Sequence, residues 1–193
     1  MSSKLQIMWI PVEVSGRHIH LSNNDLNKLF GSGYKLKKLR NLSQPGEFAC
    51  EEKIILKNGD KKLTVRIIGP ARQHTQIEIA KSDADKLGLN PPRNLSGDLH
   101  NSLQIMLVGP KDEIVLKNGL ILAKAHIHCD EKNAKKYNLV DNQLVKVKCK
   151  NYIFSDILVR VSSKFELAMH IDVDEAIKAG IEKGEIVKGL TID

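Results

Sequence analysis

Apolar and polar residues alternate along most of this chain with a period of two. That spacing puts successive side chains on opposite faces of a β-strand. Segments 48–56, 63–68, 75–79, 103–108, 113–116, 120–128, 143–149, 153–161, 166–171 and 185–190 carry the pattern and are rich in Ile, Val and Leu, so each is predicted as a strand. Asn58-Gly59 and Asn118-Gly119 each lie between two such segments and predict tight hairpins, because a type I′ turn needs positive φ at both central positions. Four short helices interrupt the strands. Ser22 with Asp25 is predicted to cap a helix over 23–30, Ser82 with Asp85 one over 83–87, Asp130 one over 131–137, and Asp172 or Asp174 one over 175–179. The fold class is therefore mainly β with a few short helices, of the barrel or sandwich kind. The loop 90–102, with Pro91, Pro92 and Gly97, is predicted as a linker or active-site loop.

An internal repeat runs through this pattern. His18-Ile19-His20 is followed by Leu-Ser and a short helix, and His126-Ile127-His128 by Cys-Asp and a short helix. Downstream, the eleven residues from Glu78 to Gly88 align without a gap with those from His170 to Gly180, which puts Glu78 opposite His170. In a strand, residues i and i+2 share a face, so each His-Ile-His triplet presents two neighbouring imidazoles able to share one divalent ion. With the aligned third donor, His18, His20 and Glu78 form a His₂Glu set, and His126, His128 and His170 a His₃ set. Three protein ligands with an open position is the arrangement of catalytic zinc, although the same donors also accept cobalt, manganese or nickel. The chain is thus expected to hold about two zinc ions.

Other candidates are weaker. Gly69-Pro70-Ala71-Arg72 leads into the strand bearing Glu78, and a planar guanidinium beside a metal site suits phosphate. Arg17, next to His18, offers the same, and a surface ion pair is the plain alternative for both. His74 and His100 are expected to be solvated, and Cys129 to pack. Glycine-rich nucleotide loops and a G-x-S-x-G nucleophile elbow do not occur.

Composition narrows the partners. The net charge of +7 favours anionic ligands, while aromatics at 4% are too few for a stacking platform on single-stranded nucleic acid. Neither nucleic acid nor membrane is expected as a partner, and assembly with copies of itself is left open. No membrane-length apolar run and no secretory pattern is found. Cys50, Cys129 and Cys149 are odd in number and far apart, which points to a reducing cytoplasm rather than a disulfide framework.

Longer motifs carry a resemblance. The stretch from Val12 to Ser22, containing Ser15-Gly-Arg17-His-Ile-His20, is similar to the opening motif of the PduL-type phosphate propanoyltransferases. Asn41-Leu-Ser-Gln-Pro-Gly-Glu-Phe-Ala49, Gly69-Pro-Ala-Arg-Gln-His-Thr-Gln-Ile-Glu78, Ser96-Gly-Asp-Leu99, Leu107-Val-Gly-Pro110, His126-Ile-His128 and Phe165-Glu-Leu-Ala-Met-His-Ile-Asp172 continue it in order. The resemblance implies a phosphotransacylase that interconverts acyl-CoA plus phosphate with acyl phosphate plus coenzyme A, acting on propanoyl-CoA or acetyl-CoA. It implies two β-barrel domains with a dimetal zinc site between them. One zinc would take His18, His20 and Glu78, the other His126, His128 and His170, with Arg72 as the catalytic arginine at the phosphate site. The domains are expected over 16–124 and 125–193, the second joined by an N-terminal strand over 5–15. Ala125 stands where the family usually has Arg, and His100-Asn-Ser-Leu103 replaces its usual Gly-Ser-Pro-Gly. The few residues before the first motif read as strand, so no microcompartment-targeting helix is expected and the location remains cytoplasmic. Two rivals stand beside this reading: a dimetal hydrolase on the same ligands, and a non-enzymatic basic β-barrel that binds other molecules.

Overall fold

The computed structural model describes residues 6–182 and 185–192, so Leu5, the first residue of the predicted N-terminal strand, lies outside them. In chain order the elements are β1 (Gln6–Ser15), β2 (His18–His20), α1 (Asn23–Phe30), β3 (Lys38–Asn41), β4 (Phe48–Asn58), β5 (Lys61–Gly69), β6 (Gln76–Ile79), α2 (Lys81–Leu87), β7 (Arg93–Asn94), β8 (Leu103–Val108) and β9 (Glu113–Ala123). There follow β10 (His126–Cys129), α3 (Glu131–Lys136), β11 (Leu144–Cys149), β12 (Tyr152–Val161), β13 (Ala168–Asp172), α4 (Val173–Ala179) and β14 (Ile186–Ile192). The protein is mainly β, with four short helices among the described residues.

Two compact units divide the chain. One is Gly16–Lys124; the other joins the residues up to Ser15 with those from Ala125 on. In the second unit six strands close into a barrel in the order β1-β13-β10-β12-β11-β14. In the first, an eight-stranded sheet runs β3-β4-β5-β2-β6-β9-β7, and β8 pairs with both β4 and β9, so six of its strands also form a ring of pairings. The two rings match strand for strand. β2 runs parallel to β5 and antiparallel to β6, as β10 runs parallel to β12 and antiparallel to β13. β6 runs parallel to β9, as β13 runs parallel to β1. The repeat seen in the sequence is therefore a repeat of topology. Its first strands are exchanged: β1 precedes β2 in the chain but pairs in the second unit, while β9 precedes β10 but pairs in the first.

Period-two patterning accounts for both interiors. Along β5, Leu63, Val65 and Ile67 are buried between exposed or half-buried neighbours, and along β11 Val145, Val147 and Cys149 alternate with exposed Leu144, Lys146 and Lys148. The core of the first unit gathers Ile19, Leu29, Leu56, Ile67 and Leu107; that of the second gathers Met8, Ile10, Ile127, Val159 and Met169. Each such side chain contributes about 1.5–3 kcal/mol on burial.

Helix termini follow the predicted caps in three cases. The Ser22 hydroxyl accepts from the Asp25 amide, the Asp130 carboxylate accepts from the Asn133 amide, and Asp172 with Glu175 makes a reciprocal capping box. Ser82 does not cap α2. That helix begins at Lys81 behind Ala80, which offers no side-chain acceptor, and Lys81 pairs with Asp85 one turn on. Both α2 and α4 end on a left-handed glycine, Gly88 at φ +68° and Gly180 at φ +63°, whose amides return to equivalent carbonyls.

The hairpin expectations divide. β4 and β5 are joined by a two-residue turn, Gly59-Asp60, one place later than the Asn-Gly pair suggested. Asn118-Gly119 does not turn the chain at all. β9 runs through it with a register shift against β8, and the turn is made instead at Gly109–Asp112. Gly119 is needed for closeness: a Cβ there would lie 2.8 Å from the Thr75 carbonyl oxygen and 2.7 Å from Leu116. The predicted strand over 120–128 also breaks at Lys124-Ala125, where the chain passes between units.

Gly109 tests the packing of the β8–β9 turn on α1. A Cβ at this position would sit 2.6 Å from the Leu29 carbonyl oxygen and 2.7 Å from its Cβ. That carbonyl already accepts from the Lys111 amide at 3.0 Å, so it is not free to retreat. Gly109→Ala should cost about 1–3 kcal/mol, the scale of an overpacked core, measured as a lower urea midpoint at unchanged slope.

Candidate metal centres

Strand register assembles both donor sets. β2 pairs antiparallel with β6 so that His18 lies opposite Glu78 and His20 opposite Gln76. β10 pairs with β13 so that His126 lies opposite His170. In each unit the period of two puts the two histidines on one face, and the antiparallel neighbour adds a third donor to that face. All six predicted residues are thereby brought into two clusters, and within each the ligand atoms lie within 4.8 Å of one another.

In the first cluster all three residues are buried. The His18 Nδ1 lies 2.9 Å from the Gly16 carbonyl oxygen, which sets the ring so that Nε2 faces Glu78 Oε1 at 3.9 Å. The rings of His18 and His20 are edge to face with centroids 5.2 Å apart. The buried His20 Nδ1 has no hydrogen-bond partner among the described residues. Burial pushes the His20 pKa down from 6.5 to about 2, with help from the charges of His18 and Arg72.

Side chains outside the predicted set complete the first site. Gln76 donates to Glu78 Oε1 at 2.7 Å and to Ser96 Oγ at 3.2 Å, while the Gly97 amide donates to Gln76 Oε1 at 2.7 Å. Arg72 donates to the same Ser96 hydroxyl at 3.4 Å and to Glu47 Oε1 at 2.6 Å. A hydrogen-bonded chain thus runs from Arg72 through Ser96 and Gln76 to Glu78. The Arg72 amide donates to the Leu21 carbonyl, which fastens its turn to the end of β2. The start of β6 is held by Thr75, whose hydroxyl donates to Asp25 at 2.6 Å and accepts from the Ser22 amide at 2.9 Å. Gln76 was legible in principle, since it lies two residues before Glu78 and shares its face. Glu47 and Ser96 lie in stretches that carry the family resemblance, but nothing in their spacing to the histidines marked them.

In the second cluster the rings of His126 and His170 stack at 5.0 Å and 15°, and His128 lies across them at 4.6 and 4.7 Å. Both His128 nitrogens are buried with no hydrogen-bond partner among the described residues. Burial is the main cause that lowers the His128 pKa from 6.5 to about 2, followed by the charges of His126, His170 and Arg160. Glu13 pairs with His170 across β1 and β13 and brings Oε2 to 3.7 Å from His170 Nδ1. Phe165 stacks on His128 at 4.0 Å and 9°, and the Arg160 guanidinium lies over the Phe165 ring at 5.6 Å. Arg160 and Glu13 were not singled out by the sequence.

His20 and His128 are disfavoured as cations yet keep their lone pairs, and buried nitrogens without partners are costly unless something binds them. Two His₂Glu and His₃ donor sets therefore fit divalent metal ions, with zinc suited to both. The remaining candidates fall elsewhere. Arg17 pairs with the buried Asp83 at 2.5 Å. His74 and His100 are exposed, and Cys129 is fully buried in the core.

A family model described as phosphate propanoyltransferase matches residues 11–182 of the chain. The chain belongs to the phosphate propanoyltransferase family. Among curated members, the phosphate propanoyltransferase of Clostridioides difficile strain 630 is 44% identical over 184 residues, covering 93% of this chain and 88% of the relative. That of Thermotoga maritima is 42% identical, covering 92% and 87%. That of Priestia megaterium is 45% identical, covering 91% and 83%. Membership of the phosphate propanoyltransferase family makes the chain an enzyme of the acyltransferase class.

The depressed histidines generate a pH prediction. Between about 2 and 6.5 the unfolded chain binds protons at His20 and His128 that the folded chain refuses. Stability of the metal-free protein should therefore fall as pH drops below 6.5. Urea midpoints measured above and below that value check the sign, and the two imidazole proton signals should show no titration while the protein stays folded.

Proposed function

We propose that the chain transfers a short acyl group, propanoyl or acetyl, between coenzyme A and inorganic phosphate, with zinc held by both clusters. The observation that carries this reading is the pair of three-donor clusters, each built by the same register, in a chain of this family. Bound zinc would supply Lewis acidity and a template for anionic oxygens.

The chain's own residues define what else is needed. Arg72 presents a guanidinium about one-third exposed, anchored by Glu47 and Ser96, with further N–H donors open to a phosphate. In the reaction a phosphate oxygen attacks the thioester carbonyl carbon, the carbon–sulfur bond breaks, and coenzyme A leaves as the thiol or thiolate. No enzyme nucleophile is invoked. Cys50, Cys129 and Cys149 are buried, and desolvation pushes each thiol up to about 11, which makes them poor nucleophiles. Direct attack by phosphate fits these buried thiols. Three free, buried thiols also suit a reducing compartment, and we assign the enzyme to the cytoplasm. No helix among the described residues is long and apolar enough to cross a membrane.

Release of thiol from propanoyl-CoA and acetyl-CoA, with and without phosphate, tests the reading directly. Turnover should require phosphate, vanish on stringent demetallation and return with zinc. His126→Ala should lower it by orders of magnitude. Phosphate-independent release would assign the site to hydrolysis instead, and full activity without metal would remove zinc from the account.

Arg72 gives a sharper kinetic test. Arg72→Ala should cost about 2 kcal/mol in kcat/KM for phosphate, the scale for losing a charged hydrogen-bond partner, with KM for acyl-CoA less affected. Arg72→Lys keeps the charge without the fork and should fall between. Glu47→Gln frees the guanidinium of its carboxylate and should shift phosphate KM the opposite way. Unchanged phosphate kinetics in Arg72→Ala would leave Arg72 as a structural ion pair.

A further inference from the structure

The three histidines of the second cluster are oriented by different means. His126 and His170 lie directly opposite each other on paired strands, and Glu13 approaches the outer nitrogen of His170. His128 lies opposite Ala168, which offers no polar side chain. Neither of its ring nitrogens has a hydrogen-bond partner among the described residues. An imidazole that ligates through one nitrogen is ordinarily held by a hydrogen bond at the other, which fixes ring plane and tautomer. Among the described residues His128 has no such bond, which leaves packing to set its plane.

One side chain meets that need. The Phe165 ring lies face to face with His128, centroids 4.0 Å apart and planes within 9°. Phe165 is not a loosely held loop residue. Its amide donates to the Ser162 carbonyl at 3.0 Å, and the Ser162 amide donates to the carbonyl of Cys129, the residue after His128, also at 3.0 Å. The turn that delivers the ring is thereby tied to the end of the strand that carries the imidazole. Arg160, paired with His128 across β10 and β12, extends its guanidinium over the same ring at 5.6 Å and restrains it further.

We propose that Phe165 is the positioning residue for His128, its ring face holding the imidazole in the plane that ligation of a metal requires. The inference rests on the reading of His126, His128 and His170 as metal ligands, and adds to it the device that orients the second of them. A flat face restricts rotation about χ2 while leaving both nitrogens open, which an aliphatic side chain of similar volume does not do.

The test is metal affinity by chelator competition on the full chain, with the visible spectrum of the cobalt-loaded protein as a second readout. Phe165→Leu removes the flat face and Phe165→Tyr retains it. Phe165→Met, longer and flexible, serves if the leucine variant does not fold. The leucine or methionine variant should bind one of the two ions about ten- to a hundredfold more weakly, the range for losing a group that orients a ligand, with an altered cobalt spectrum for that ion alone. The tyrosine variant should stay near wild type, and the metal-free leucine or methionine variant should still unfold in one cooperative transition. Unchanged affinity and spectrum without the aromatic ring would overturn the proposal, as would equal weakening by tyrosine and leucine. His170→Ala separates this from failure of the site itself: if that variant still binds both ions as wild type does, the ligand assignment falls rather than the role of Phe165.

Discussion

Both candidate centres depend on one constraint, the antiparallel register between a three- or four-residue histidine strand and its neighbour. A slip of one residue along β6 would turn Glu78 away from His18, and a slip along β13 would turn His170 away from His126. The surrounding structure holds that register from both ends. Thr75, Asp25 and Ser22 lock the entry to β6 to the first turn of α1, and the capping box of Asp172 and Glu175 starts α4 immediately after β13. The glycines that end α2 and α4 in the left-handed region then fix the exits. Ligand placement is thus a property of the barrels' hydrogen bonding more than of loop conformation.

The two centres are alike in construction and different in charge. The first contains a carboxylate, supported by Gln76 and linked through Ser96 to Arg72. Among the described residues the second gathers three imidazoles, with the Glu13 carboxylate at its edge. A cation in the second site keeps more of its charge than one in the first, because neutral ligands donate density without cancelling it. The repeat supplies the geometry twice, and one position, Glu78 against His170, makes the electrostatics unequal.

Much of this was legible in the sequence because the determinants are local and periodic. The His-Ile-His triplets announce themselves, and ungapped alignment of Glu78–Gly88 with His170–Gly180 reflects a real identity of strand, helix and glycine cap. Asn118-Gly119 was misleading for a physical reason. The pair has hairpin chemistry, but Gly119 is used for close approach to the Thr75 carbonyl while β9 passes from pairing with β8 to pairing with β6. Glu13, Glu47 and Ser96 stood inside recognisable motifs without an assigned role, and Arg160 outside them, because their proximity to the histidines is created by pairing between distant strands and by loops. The short strands β3 and β7 were missed as well, being too brief to show a period.

The exchanged first strands bear on how the chain is made. Everything the first ring needs lies between Gly16 and Lys124, so it can close while the remainder is still on the ribosome. β1 is synthesised before the whole of the first unit, yet its partners β13 and β14 follow that unit in the chain. During translation it is a strand without a sheet, carrying Met8, Ile10 and Val12 that will later be wholly buried. The nascent chain must keep that apolar edge from pairing elsewhere until β13 and β14 have emerged, which makes mispairing of this one strand the hazard built into the exchange.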